Sequence, residues 1–216
     1  MLPLRALASL LASLSALSVL PASAAEPASR VAVSPIYSQL LAHSLPGGFQ
    51  VAYENDSGPE YIREAVPLGQ TVQKWTQMIT VTGAKGLAAN PDATPRRFVE
   101  VMAAGFKKAC PDTFAAQLVH EGNLPSGQPA VTAWMACGAT GDAPDQLRSE
   151  AALVTAIQGA ADIYSVQWSM RGAASKTAPQ FDDAVWGPRF KALMPIRVCN
   201  LVKGEKAPYP SCTNPR

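Results

Sequence analysis

Apolar and polar positions alternate with a period of two through much of this chain, and that alternation predicts strands. Phe49-Gln50-Val51-Ala52-Tyr53 is one such run. Asn55-Asp56-Ser57-Gly58-Pro59 follows as a dense turn signal, and Tyr61 to Val66 returns as the hairpin partner. Pro67 and Gly69 end that strand. Met78-Ile79-Thr80-Val81-Thr82 is β-branched and alternating, so it reads as the next one. Phe114 to Glu121 and Ala130 to Cys137 flank the turn-rich GNLPSGQP; Ala151 to Gln158 and Ile163 to Arg171 flank Gly159-Ala160-Ala161-Asp162. In the last of these, Tyr164, Val166, Trp168 and Met170 share one face, and Ser165, Gln167 and Ser169 the other. This pattern predicts a half-buried strand with helices on its apolar side.

Two stretches change period. After Thr94-Pro95, a cap followed by proline at the first helical position, Phe98, Val101, Met102, Gly105, Phe106 and Ala109 recur at helical spacing. Cys110-Pro111 ends that helix. A second helix is expected from Asp182 to Met194, with Trp186, Phe190 and Leu193 inward and Gly187-Pro188 kinking or splitting it. Ile36 to Ser44 fits a short helix or a strand, and Gly47-Gly48 breaks it. The order implies an α+β domain around a mainly antiparallel sheet, with two principal amphipathic helices.

The ends read differently. One positive residue, Arg5, precedes an apolar run from Ala6 to Leu20, and Ala22-Ser23-Ala24 is an A-x-A cleavage site. That is the pattern of a secretory signal peptide over residues 1–24. The run is shorter than the ~20 residues a spanning helix needs, so no stable membrane anchor is expected after cleavage. Residues 25–35 are expected to form a loose leader, 36–194 a single α+β domain, and 195–216 a disulfide-stapled extended tail. Export implies a periplasmic or secreted protein in an oxidising compartment. The four cysteines, Cys110, Cys137, Cys199 and Cys212, then read as two disulfides. Three connectivities are open; the pairs nearest in sequence, Cys110–Cys137 and Cys199–Cys212, are preferred. A zinc site from all four thiolates is the rival, without CxxC spacing to support it.

Basic residues number 18 and acidic ones 16. So even a balance gives no electrostatic reason to expect nucleic acid or a polybasic membrane contact. The candidate chemistry is sparse. The two histidines, His43 and His120, limit acid–base catalysis near neutral pH. His120 could act as a base oriented by Asp112 or Asp145, but G-x-S-x-G is absent. Asp182-Asp183 reads as helix capping and Asp142/Asp145 as loop. No spacing suggests a metal site, a phosphate loop or a cofactor.

The most individual stretch is Val66 to Gly83, VPLGQTVQKWTQMITVTG. Thr71 caps a short helical turn over Val72 to Trp75 in this reading, and the segment is first a strand entry. Gln70, Thr71, Trp75 and Thr76 form a candidate binding lip, since aromatics beside hydrogen-bonding side chains are typical of recognition surfaces.

The phrase E-x-V-P-x-G-Q-T-x-x-x-W-T-x-M-I-T-V, here Glu64 to Val81, with A-I-Q-G…D-I-Y-S-V-Q-W at Ala156 to Trp168, is similar to one found in uncharacterised exported bacterial proteins. The order of elements resembles the PsbP-like α/β/α sandwich. That resemblance implies a non-enzymatic accessory or binding factor and carries no catalytic set. The leading expectation is therefore an exported accessory protein that binds another envelope or secreted protein. The alternatives are a small-ligand binder and a secreted hydrolase using His120.

Overall fold

Among the described residues, ten strands and three α-helices follow one another, and from β3 to α2 their order is the one the alternation anticipates. The computed structural model describes residues 28–141, 143 and 146–214, so the expected signal peptide, Asp142 and Asp145 lie outside the described residues. The strands are β1 (Arg30–Ile36), β2 (Gln39–Leu45), β3 (Phe49–Asn55), β4 (Glu60–Pro67), β5 (Gln77–Ala84), β6 (Phe114–Asn123), β7 (Pro129–Thr140), β8 (Arg148–Gln158), β9 (Ile163–Ala173) and β10 (Arg197–Asn200). The helices are α1 (Pro95–Ala109), α2 (Asp183–Leu193) and the short α3 (Pro210–Thr213). Seven strands form one antiparallel sheet in the order β3-β4-β5-β9-β8-β7-β6, and three form a second in the order β1-β2-β10. The α+β class with two principal helices holds.

The large sheet is sandwiched. On one face α1 lies over β6, β7 and β8. Its Val99, Phe98, Met102 and Phe106 pack on Val131, Ala133, Met135, Ala152 and Val154. Thr94 caps the helix by accepting from the Arg97 N–H, with Pro95 at the first position. The opposite face carries α2 and the small sheet. Trp186 of α2 meets Trp134 edge-on at 6.4 Å, beside Leu153 and Ala136. The small sheet contributes Ile36, Leu41 and Leu45 to a core with Ile79, Val81, Ile157, Tyr164 and Val166. Asp182 caps α2, accepting from the Ala184 N–H.

The structure corrects several local expectations. Residues 30–35 are not a loose leader, because β1 starts at Arg30 and pairs along the whole of β2. Ile36 to Ser44 contributes no helix; β2 is buried on both faces, and burial of that kind selects β-type packing over helix propensity. Proline 188 sits inside an unbroken α2 and does not split it. Strand β9 is buried on both faces rather than one, since Ser165 and Ser169 are each only 1% exposed. The tail is not simply extended. Strand β10 pairs with β2, and α3 brings Cys212 and Tyr209 against Leu40 and Ala42. The two disulfides join Cys110 to Cys137 and Cys199 to Cys212, with Cα–Cα distances of 5.7 Å in both. The first ties the end of α1 to β7; the second holds the tail over β2. Two disulfides suit an oxidising compartment.

Candidate binding surface

The face that carries α1 is only partly roofed by it. Beyond β8 the same face continues across β9, β5 and β4, where the register sets Thr80 opposite both Glu64 and Gln167, and Thr82 opposite Ser165. Side chains two residues apart on a strand share a face, so Ser165, Gln167, Ser169 and Arg171 line up on β9. The hydroxyls pair among themselves. Thr82 Oγ1 and Ser165 Oγ are 2.7 Å apart, and Gln167 Nε2 donates to Ser169 Oγ at 2.6 Å. The short Ser165, Ser169 and Thr80 are sunk between longer, partly exposed neighbours: Ile62, Glu64, Gln167 and Arg171. Across β4, the bulge between Val51 and Tyr53 restores the register so that Tyr53, 43% exposed, stands opposite Glu64.

Glu64 is the unpaired charge on this floor. Burial pushes its carboxyl above the ordinary value, and the more distant Arg171 partly offsets this. Arg171 itself is engaged elsewhere, donating from Nε to Glu150 Oε2 at 2.8 Å and stacking on Trp75. A half-buried carboxylate with no direct partner is an electrostatic vacancy for a cation, because its desolvation cost is not repaid within the chain.

The predicted lip bounds the floor at one end. Gln70, Thr71, Trp75 and Thr76 are brought together around a cleft of about 470 Å³ that Gly69 and Lys74 complete. Their polar groups already serve the loop. Gln70 Oε1 accepts from the Thr76 N–H at 2.7 Å, and its Nε2 donates to Thr76 Oγ1 at 3.0 Å. Thr71 caps no helical turn. It closes a tight turn with Lys74, accepting at its carbonyl and hydroxyl oxygens from the Lys74 N–H. Trp75 is 7% exposed and packs with Val66, Met78 and Val72, as a core residue does.

The other candidates separate. His120 is exposed on β6, and its ring lies against Gly122, not against Asp112. His43 lies between the two sheets, 3% exposed, with Nδ1 2.9 Å from the Ser44 carbonyl oxygen. Its pKa is lowered to about 4, by burial first and by Arg63 as well, against the opposing effect of the Ser44 bond. Arg63 donates to Ser34 Oγ at 3.1 Å, and Tyr61 donates to Glu54 at 2.5 Å. This interlayer cluster is a structural fastener. Among the described residues, no group of three or more His, Cys, Asp or Glu side chains is placed to hold a metal ion, and no helix is long and apolar enough to cross a membrane. Glu64 stands at the head of the quoted phrase, yet sequence reasoning did not select it. The only signal was the polar series on β9, which reads equally well as a solvent face.

No protein-family model matches the chain, and no curated protein matches it. Among solved structures it is similar to the Ran-binding protein Mog1p of Saccharomyces cerevisiae, with 11% identity over 78% of this chain and 86% of that one and a TM-score of 0.40. A likeness at that level carries no functional argument.

Proposed function

We propose that this is an exported accessory protein that binds another envelope or secreted protein through the open part of the α1-side face. The supporting observation is the unpaired, half-buried Glu64 on an unroofed polar floor beside Tyr53. The partner that fits is a protein presenting a Lys or Arg side chain from a flat or extended segment. Its cation would meet Glu64, and its polar groups would meet Gln167 and Thr82. Tyr53 supplies the kind of aromatic contact enriched at protein interfaces. In this reading residues 1–24 are removed on export and the mature protein works in the periplasm or outside the cell. The PsbP-like order of elements and the exported-protein phrase agree with it.

The test is site-specific photo-crosslinking in the native envelope. A photoreactive residue at Thr82 should yield one crosslinked protein that the same residue at Leu201, on the exposed tail, does not. Glu64→Lys should abolish the product. Identical products from both positions, or a Thr82 product indifferent to Glu64→Lys, would refute the reading. The cleft at Gly69 to Thr76 supports a second reading as a small-ligand site. Its test is ligand-induced change in tryptophan fluorescence that Gln70→Ala removes.

A further inference from the structure

We infer that Glu150 is a positioning residue for the open face: it holds Arg171 at Trp75 and so keeps the chain's own cation away from Glu64, leaving that carboxylate to a partner. The inference rests on the reading of Glu64 as the partner's contact.

Glu150 and Arg171 stand directly opposite each other on β8 and β9. Arg171 Nε donates to Glu150 Oε2 at 2.8 Å, and both side chains are largely shielded from solvent. A charge-assisted bond of this kind fixes a long side chain in one place. Here it fixes the guanidinium over the Trp75 ring, 3.8 Å from its centre.

That place adjoins Glu64. Trp75 packs on Val66, and Val66 lies two residues from Glu64 on the same strand face, about 7 Å along β4 at ~3.4 Å per residue. Arg171 reaches the same face from β9, four residues beyond Gln167, which shares a cross-strand row with Thr80 and Glu64. Arg171 is the charged group whose field acts on Glu64, yet among the described residues Glu64 forms no ion pair. Two groups of opposite sign are thus neighbours held apart. One is committed to Glu150. The other is half-buried and unmatched, its desolvation unrepaid. Without Glu150 the guanidinium would be unmatched as well, and each would relieve the other by pairing. A partner's cation would then find the site filled from within.

Carboxyl titration of Glu64 by NMR in the purified protein tests the inference without a partner. Glu150→Leu should bring Arg171 onto Glu64 and lower the Glu64 titration midpoint by at least about one pH unit, the least that an adjacent opposite charge imposes on a carboxyl. Glu150→Gln, the milder variant should the first not fold, still offers Arg171 Nε an acceptor oxygen and should lower the midpoint by a smaller, measurable amount. Combining Glu150→Leu with Arg171→Met should abolish the fall, because the competing cation is gone. A pair that only stabilises the fold would leave the midpoint where it stands. No fall in either single variant, or a fall that persists in the double variant, would overturn the inference. In the native envelope, the Thr82 photo-crosslink should be lost in Glu150→Leu and return in the double variant. A crosslink untouched by Glu150→Leu would equally overturn it. A crosslink indifferent to Glu64→Lys would instead refute the reading of the face, whatever the titrations show.

Discussion

The guanidinium carbon of Arg171 lies 3.8 Å from the centre of the Trp75 ring, so a strand-end cation clamps the loop that precedes β5. The clamp is continued by the Arg171 N–H, which donates to the Thr76 carbonyl at 2.9 Å. The ring side of the pair is core and the guanidinium side faces Glu150. Trp75→Ala should therefore destabilise the fold by about 3–5 kcal/mol, as large-to-small changes at buried aromatics do. Arg171→Met keeps part of the packing but leaves Glu150 without its cation, and should cost about 1–2 kcal/mol. The two residues touch, so their effects should not add. Urea unfolding of both single variants and the double variant measures this; strict additivity would show that the stacking carries no energy.

Asp162 fastens the end of β9 to two other segments. It is 2% exposed and accepts from Ser38 Oγ at 3.0 Å, Tyr164 Oη at 3.1 Å and the Gly86 N–H at 2.7 Å. The carboxylate near Tyr164 and the burial of the phenol both push the Tyr164 pKa up, burial most. Asp162→Ala removes the shared acceptor and should cost about 1–3 kcal/mol, since Ser38 and Gly86 are exposed and can turn to water while the buried Tyr164 hydroxyl keeps only the longer bond to the Ile36 carbonyl. Asp162→Asn keeps two acceptor lone pairs and should cost less than Asp162→Ala. Thermal unfolding of the two variants ranks them; equal losses would mean that packing, not hydrogen bonding, holds this corner.

Much of this architecture was legible because its local signals agree with the tertiary outcome. Thr94-Pro95 announces α1, and Asp182 announces the start of α2. The turn residues after Asn55 and around Gly127 mark the hairpins. Cysteine spacing favoured the pairing that the structure shows. What could not be read was which strands lie under something. β2 carries Gln39, His43 and Ser44 among its apolar residues, and only the tail folding back over Leu40 and Ala42 buries its outer side. β9 alternates like a half-exposed strand, but its serines pair with neighbours and sink from solvent. The lip residues line one cleft because they are neighbours in sequence. Glu64 was passed over because an unpaired carboxylate looks the same in sequence as a paired one.

The two disulfides should differ in worth. Cys110–Cys137 closes a loop with a sequence separation of 27, and Cys199–Cys212 one of 13. By the loop-entropy relation the first stabilises by about 3.5 kcal/mol and the second by about 3 kcal/mol. Replacing Cys110 and Cys137 by Ala should lower the urea midpoint slightly more than replacing Cys199 and Cys212. The second replacement should instead act locally, raising hydrogen exchange in β10 and β2 while α1 stays protected. Loss of protection throughout the large sheet in the Cys199/Cys212 variant would contradict this division.

His43 makes stability depend on acid. Its Nδ1 faces a carbonyl oxygen, which can only accept, so Nδ1 carries the proton and the ring is neutral when folded. Arg63 is the charged group facing it, and its field opposes a second positive charge. The folded pKa of about 4 lies below the ordinary 6.5. The unfolded chain therefore takes up the proton first as pH falls. No stability is lost above pH 6.5; loss grows between 6.5 and 4, and is complete below 4. The full difference amounts to about 3 kcal/mol at ~1.36 kcal/mol per unit. Carboxylates titrate in the same range, so the informative quantity is a comparison. His43→Asn keeps a side-chain donor for the Ser44 carbonyl but cannot ionise. Its unfolding free energy should fall less steeply than that of the unaltered protein from pH 6.5 to 4, and the two curves should run parallel above 7. Parallel curves through the acid range would show that His43 takes up its proton as readily in the folded protein as in the unfolded chain.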